Sequence, residues 1–234
     1  PNRLRTMDRR DAETEARLAA MRAKLLEKRA ERIRPATDDK ILADWNGLAV
    51  AALALAAQTF GEPRWLALAE GAFGFVARTM TRGDRLAHAW RDDRLVFPGL
   101  ATDYAAMTKA ALALHAATGD ASYLAMAEGF ARTLHAHHWD AAEPGYFLSA
   151  DDAEALILRP RSTTDDATPS ATSLMTQNLV RLWHLTGNDA WRETADAILG
   201  ASGLAVANNV FGSTALLNAL DLRLGATDVV IVHP

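Results

Sequence analysis

Three polar clusters in this 234-residue chain carry residue types suited to acid–base and sugar-binding chemistry, and they recur at equivalent points of a repeat. The first holds Asp38, Asp39, Lys40, Trp45 and Asn46, the second Thr102, Asp103 and Tyr104, the third Asp165, Asp166, Ser170, Thr172 and Ser173. His88, Trp90, Arg91, Tyr146, Arg159 and Arg161 come from the inserts between repeats. Carboxylates can move protons or accept bonds from hydroxyls, and Trp and Tyr faces can stack on a sugar ring. Asp38, Asp39 and Asp103 are therefore the candidate catalytic residues. Trp45, Asn46, Tyr104, His88, Trp90, Arg159, Arg161, Ser170 and Ser173 are the candidate substrate-binding residues. Each has a structural alternative. Asp103, Ser170 and Ser173 suit helix N-caps, Asp38 and Asp39 suit a helix dipole, Trp45 suits core packing, and the two arginines suit a solvated strand edge.

Other chemistries find little support. His135, His137 and His138 are not spaced to put two imidazoles one helical turn apart, so no metal site is expected. Gly71 and Gly74 follow no strand and make no phosphate loop, no nucleophile elbow occurs, and no cofactor is implied. The absence of cysteine removes thiol and disulfide chemistry. Lys109 and Gln177 fall at equivalent points of otherwise apolar helices, and Arg181 and His184 extend the face of Gln177. Such groups need partners, either internal hydrogen bonds or a central channel.

The elements that must position these residues are written three times. Apolar runs at 45–60, 103–118 and 171–186 each end at a glycine (Gly61, Gly119, Gly187), and an aromatic follows four residues later (Trp65, Tyr123, Trp191). Each unit reads as an inner helix, apolar all round, a glycine stop and a one-sided outer helix. The outer faces are Trp65, Ala69, Ala72 and Val76, then Tyr123, Ala127, Phe130 and Leu134, then Trp191, Ala195 and Ile198. A fourth inner helix is predicted over 209–224. Residues 84–97 alternate as a β-hairpin turning at Asp92-Asp93, and 145–160 as another turning near Asp151-Asp152. Both inserts fall on the rim that carries the inner-helix N-termini. Residues 8–33 predict one long charged helix ended by Pro35, and Val229 to Val232 a buried strand. Hairpins that cannot bury their own surface must stack. Inner helices this apolar favour an all-α, α/α toroid over an open solenoid, here an incomplete ring carrying small β-hairpins on one rim. A single domain of hairpins near 45–80, 103–138, 171–202 and 209–224 is expected.

Composition bounds the function classes. A net charge of −4 argues against a nucleic-acid partner. Residues 1–34 hold eleven basic against six acidic residues, and a basic first helix beside an acidic body suggests self-docking. No run is long and apolar enough to span a membrane, and no apolar leader follows the basic start, so a cytoplasmic location is expected.

The stretch Asp38-Asp39-Lys40-Ile41-Leu42-Ala43-Asp44-Trp45-Asn46-Gly47-Leu48 resembles the helical region of thioredoxin-domain-containing proteins of the YyaL-like, spermatogenesis-associated type. Thr102-Asp103-Tyr104-Ala105 is similar to that family's Glu-Asp-Tyr-Ala, with Thr in place of Glu. Asp166 to Ser173 is similar to its Asp-Gly-Ala-x-Pro-Ser-Gly-Asn-Ser, with Ala171-Thr172 in place of Gly-Asn. The resemblance covers roughly residues 20–234. It implies an N-terminal thioredoxin-like domain, missing from this chain, followed by a six-hairpin toroid similar to glycosidases and sugar 2-epimerases, of which this chain would be a C-terminal portion. It also implies a shared neighbourhood at Asp38, Asp39, Trp45, Asn46, Asp103, Tyr104, Pro169 and Ser170. The functional expectation is a carbohydrate-active or sugar-binding domain using glycosidase- or epimerase-like acid–base chemistry. The alternative is a non-catalytic module that docks a thioredoxin-like domain or another protein.

Overall fold

The computed structural model describes residues 9–155 and 157–226 and divides into two units, one up to Asp39 and one from Lys40. The first unit holds α1 (Ala12–Ala30), whose start is capped by Asp11 accepting from the Thr14 N–H at 2.8 Å. Glu13 and Glu15 in its first turn and Lys28 and Arg29 in its last oppose the helix dipole. The helix is shorter than the predicted 8–33 and stops before Pro35. The strand expected at Val229 to Val232 lies outside the described residues.

The second unit is a row of helical hairpins. In chain order it runs β1 (Ile41–Leu42), α2 (Ala43–Phe60), α3 (Pro63–Thr79), β2 (Thr81–Arg82), β3 (Arg85–Leu86), β4 (Ala89–Arg91), β5 (Arg94–Val96), α4 (Ala101–Thr118) and α5 (Ala121–His138). It continues with β6 (Trp139–Asp140), β7 (Gly145–Tyr146), α6 (Ala171–Thr186), α7 (Asp189–Asn208) and α8 (Thr214–Gly225). Each α2-, α4- and α6-type helix ends because its stop glycine is left-handed. Gly61, Gly119 and Gly187 have φ of 68°, 71° and 69°, and each N–H reaches the carbonyl four residues back.

The inner helices α2, α4, α6 and α8 stand side by side and parallel. Gln58 Nε2 donates to the Ala116 carbonyl at the C-terminal ends of α2 and α4, Asn178 Nδ2 to Ala105 across α6 and α4, and Gln177 Nε2 to Ala215 across α6 and α8. Alanine and glycine allow the close approach. A Cβ on Gly47 would sit 2.7 Å from the Ala106 carbonyl carbon, so α2 meets α4 backbone to backbone there. α4 and α6 are buried nearly all round. The outer helices α3, α5 and α7 each bury one face, including Ala69, Phe73 and Val76, then Ala127, Phe130 and Leu134, then Trp191, Ala195 and Ile198. The fold is an α/α toroid arc that does not close into a barrel among the described residues.

Several details differ from the sequence expectation. α2 is not surrounded: Trp45, Leu55 and Phe60 are 63%, 64% and 70% exposed, because among the described residues the helices packed closely against it are α4 and α3. Trp65 packs edge-on against Phe60 rather than in the core, and Phe73 takes the buried place. The last inner helix starts at Thr214, after a 3₁₀ turn at Phe211–Ser213, because α7 runs on to Asn208. The first hairpin turns at Asp92 and Asp93, both with positive φ, as its two-residue loop requires. Its β4 also pairs with β1, which fastens the start of α2 to the hairpin. The second insert folds otherwise than expected. β7 pairs backwards with β6, and the return strand meets it only through a bridge between Phe147 and Arg161 and a Leu148 N–H to Pro160 O bond. Phe147 also donates its N–H to His138 O and Leu148 O accepts from the Ala101 N–H, so this segment is shared among its neighbours and no long hairpin forms among the described residues.

Candidate functional site

The N-termini of the parallel inner helices converge at one end, where two buried or half-buried carboxylates tie them together. Asp103, in the first turn of α4, accepts from the Leu100 N–H at 2.7 Å and from the Asp44 N–H of α2 at 3.0 Å. Asp165 does the same one junction further on, accepting from the Ser170 N–H ahead of α6 and the Ala215 N–H of α8. Between them, the Ala101 N–H donates to Leu148 O and the Tyr146 N–H to Thr172 Oγ1, so the β7 segment joins α4 to α6. Free N–H groups at helix starts require such acceptors.

Asp103 also holds a histidine. His88, between β3 and β4, places Nδ1 3.1 Å from Asp103 Oδ2. Its main chain fixes it from both sides, since its N–H donates to Val96 O and its carbonyl accepts from Ala43 N at the start of α2. Asp103 is fully buried, whereas the His88 side chain stays 27% exposed. Burial pushes the Asp103 carboxyl up to about 6, against the opposing pull of its hydrogen bond to His88. The carboxylate raises the imidazole pKa above its ordinary value. Among the described residues, Nε2 of His88 meets no hydrogen-bond partner, so this imidazole is oriented at one nitrogen and available at the other. That is the arrangement of a proton-transfer group with a positioning carboxylate.

The other sequence candidates have partners of their own. Trp45 lies in the first turn of α2 with its side chain largely in solvent, next to Asp44. Asn46 turns back to donate from Nδ2 to Leu42 O at 2.8 Å. Trp90 stands on β4 opposite Ile41 and packs edge-on against Phe75. Tyr104 is fully buried, and its hydroxyl accepts from the Leu86 N–H and Arg85 Nε. Arg159 lies over the Phe147 ring and donates to the carbonyls of His137 and Ser149. Arg161 pairs with Asp140 and Glu143. Ser170 caps α6 through the Ser173 N–H, and Ser173, fully buried, donates to Thr163 O. Asp38 and Asp39 are exposed residues at the end of the first unit.

A hollow of about 340 Å³ opens between the starts of α4 and α6, lined among others by Thr102, Leu148, Arg161, Asp166 and Ser170. A larger one, about 650 Å³, lies on the other side of the 161–164 segment against α7. His88 lines neither; it occupies the neighbouring junction between α2 and α4.

Sequence reasoning missed Asp44 and a second polar cluster. Arg85 grips Asp152 with two nitrogens at 2.6 and 2.8 Å and touches Tyr104, and its Nη1 lies 3.2 Å from His137 Nε2, while His137 Nδ1 meets Asp151 at 2.8 Å. This guanidinium pulls the Asp152 carboxyl down to about 2. Asp44, His88 and Asp103, and separately His137, Asp151 and Asp152, are close enough to share a cation. In the first set, N–H groups already occupy both Asp103 oxygens, and in the second Arg85 supplies the positive charge, so neither donor set suits a metal.

No family model matches the chain. Human spermatogenesis-associated protein 20 is 30% identical over 197 residues, which is 76% of this chain, and the mouse protein is 31% identical over 189. The chain is a homologue of spermatogenesis-associated protein 20. It spans about a quarter of the length of these relatives. Among solved structures, a family 76 α-mannanase of Bacteroides thetaiotaomicron superposes with a TM-score of 0.64 at 14% identity, over 89% of this chain and 62% of that one. Cellobiose 2-epimerase from Spirochaeta thermophila gives 0.56 at 16%, over 70% and 43%. At those identities the likeness shows the fold alone, that of an α/α toroid. No helix among the described residues is long and apolar enough to cross a membrane.

Proposed function

We propose that this domain binds a sugar at the end where the inner helices begin, and that His88 transfers a proton there. The observation that carries the reading is the His88–Asp103 pair. A buried carboxylate holds one imidazole nitrogen at 3.1 Å while the side chain remains partly exposed at a helix-terminal rim. Asp103 cannot touch a ligand itself and acts as the positioning residue for His88. Trp45 offers an open aromatic face for stacking, and Thr102, Asp166 and Ser170 offer polar groups around the adjoining hollow. Asp38 and Asp39 remain sequence candidates for the same chemistry. The fold's occurrence in a mannanase and an epimerase supports the sugar reading. Calorimetry with a panel of neutral mono- and disaccharides tests it, together with a search for hydrolysis or epimerisation products. Binding that survives in His88→Gln while turnover disappears supports the assignment, and no binding of any sugar defeats it.

The uncovered apolar stripe of α2 favours a second reading, a docking module for a protein partner such as a thioredoxin-like domain. That reading predicts slowed amide exchange along α2 when such a domain is added, and no sugar binding.

A further inference from the structure

The solvent-facing stripe of the inner helices carries a pair of cations that the site at the rim does not use. On α4, the accessible positions from the rim down to the last turn are Thr102, Lys109 and Ala113. On its neighbour α6 they are Gln177 and Arg181, with His184 next on the same face at the last turn. Seven residues separate Thr102 from Lys109, so the ammonium's helix position lies about 10 Å below the rim. Gln177 is engaged with the Ala215 carbonyl, which leaves Lys109 and Arg181 as the charged groups of this wall. Among the described residues neither Lys109 nor Arg181 has a carboxylate within ion-pair reach. Apart from their C-terminal turns, both α4 and α6 bury the rest of their surface, so the stripe is the concave side of the arc. A half-buried ammonium with a guanidinium as neighbour is an unfavourable arrangement until an anion arrives.

We infer that Lys109 and Arg181 form an anion-recognition site on the concave wall, which takes the negatively charged group of a sugar acid or sugar phosphate whose ring lies toward the rim. Burial and the charge of Arg181 both press on Lys109 to lose its proton, in keeping with a cation that lacks a counter-charge. The substrate class rests on the sugar reading above, whereas the anion site itself does not.

The test compares wild type with Lys109→Gln, Arg181→Gln and the double variant by calorimetry, using inorganic phosphate, glucuronate, glucose 6-phosphate and neutral methyl glucoside. The expected result is that the charged sugars bind about tenfold or more tightly than the neutral one, since hydrogen bonds to charged groups are the stronger kind. The double variant loses that advantage, and added salt weakens it. Glucuronate ahead of glucose 6-phosphate assigns a carboxylate, and the reverse order a phosphate. Phosphate binding that needs both cations, with no sugar binding, upholds the anion site and removes the sugar reading. Equal binding of charged and neutral sugars upholds the sugar reading and overturns this inference. Anion binding unchanged in the double variant overturns it as well. So does a fall in stability of Lys109→Gln, because it would reveal an internal counter-charge.

Discussion

At the scale of single residues, Asp103 does two jobs with one carboxylate: it caps two helices and orients His88. Replacing it with alanine strands the Leu100 and Asp44 N–H groups and leaves the imidazole without its partner. Asp103→Ala should therefore lose about 3 kcal/mol or more in urea unfolding. Asp103→Asn keeps an acceptor and should lose less. The pair also sets a pH dependence. The Asp103 pKa is about 6 in the fold against 3.8 for the free side chain, so the unfolded chain gives up this proton first. Stability from Asp103 is therefore fully present below about pH 4 and declines as pH rises toward 6, by up to about 3 kcal/mol. The raised His88 pKa acts in the same sense, with its contribution lost as pH rises through the folded value, above 6.5. Unfolding free energy measured from pH 4 to 8 should show this fall in the wild type and a flatter profile in Asp103→Asn. In an NMR titration, His88 should lose its proton at a lower pH in Asp103→Asn than in wild type.

At the scale of elements, glycines set where helices stop and how closely they approach. Gly119 holds φ 71° past the end of α4, so Gly119→Ala should cost about 1 kcal/mol. Gly71 lies within α3 with nothing near its missing Cβ, so Gly71→Ala should be neutral or gain about 0.5–1 kcal/mol. Gly47→Ala should be worse than either, losing about 2 kcal/mol, because the added methyl meets the rigid Ala106 backbone. Thermal unfolding of the three variants ranks them directly. The glycine stops were legible in the sequence because left-handed caps have few substitutes, and the first hairpin because Asp92-Asp93 interrupts a period-two pattern. The backward pairing of β7 was not legible, since its partner β6 lies at the end of α5, outside the 145–160 pattern that suggested a hairpin. Nor was the His88–Asp103 pair. Fifteen residues and a change of element separate its members, and Asp103 read equally well as a cap, which it also is.

At the scale of the molecule, the parallel inner row gathers every inner-helix start at one end, and that convergence turns dispersed residues into a site. The same stacking explains why α2 differs from α4 and α6. An interior helix of the arc has inner neighbours on both sides, whereas among the described residues α2 has one close inner neighbour, α4. The apolar pattern of α2 matched that of α4 closely enough that sequence could not tell an edge position from an interior one. The central claim is that a sugar binds where α2, α4 and α6 begin, against Nε2 of His88, the ring nitrogen that Asp103 does not hold. Chemical-shift mapping during titration with a bound saccharide from the panel tests it most directly. The account predicts shifts concentrated at His88, Trp45, Thr102 and Ser170, with the His88 ring Nε2 resonance among the largest. Shifts confined to the 650 Å³ hollow against α7, at Ser202 and Ala205, would contradict it.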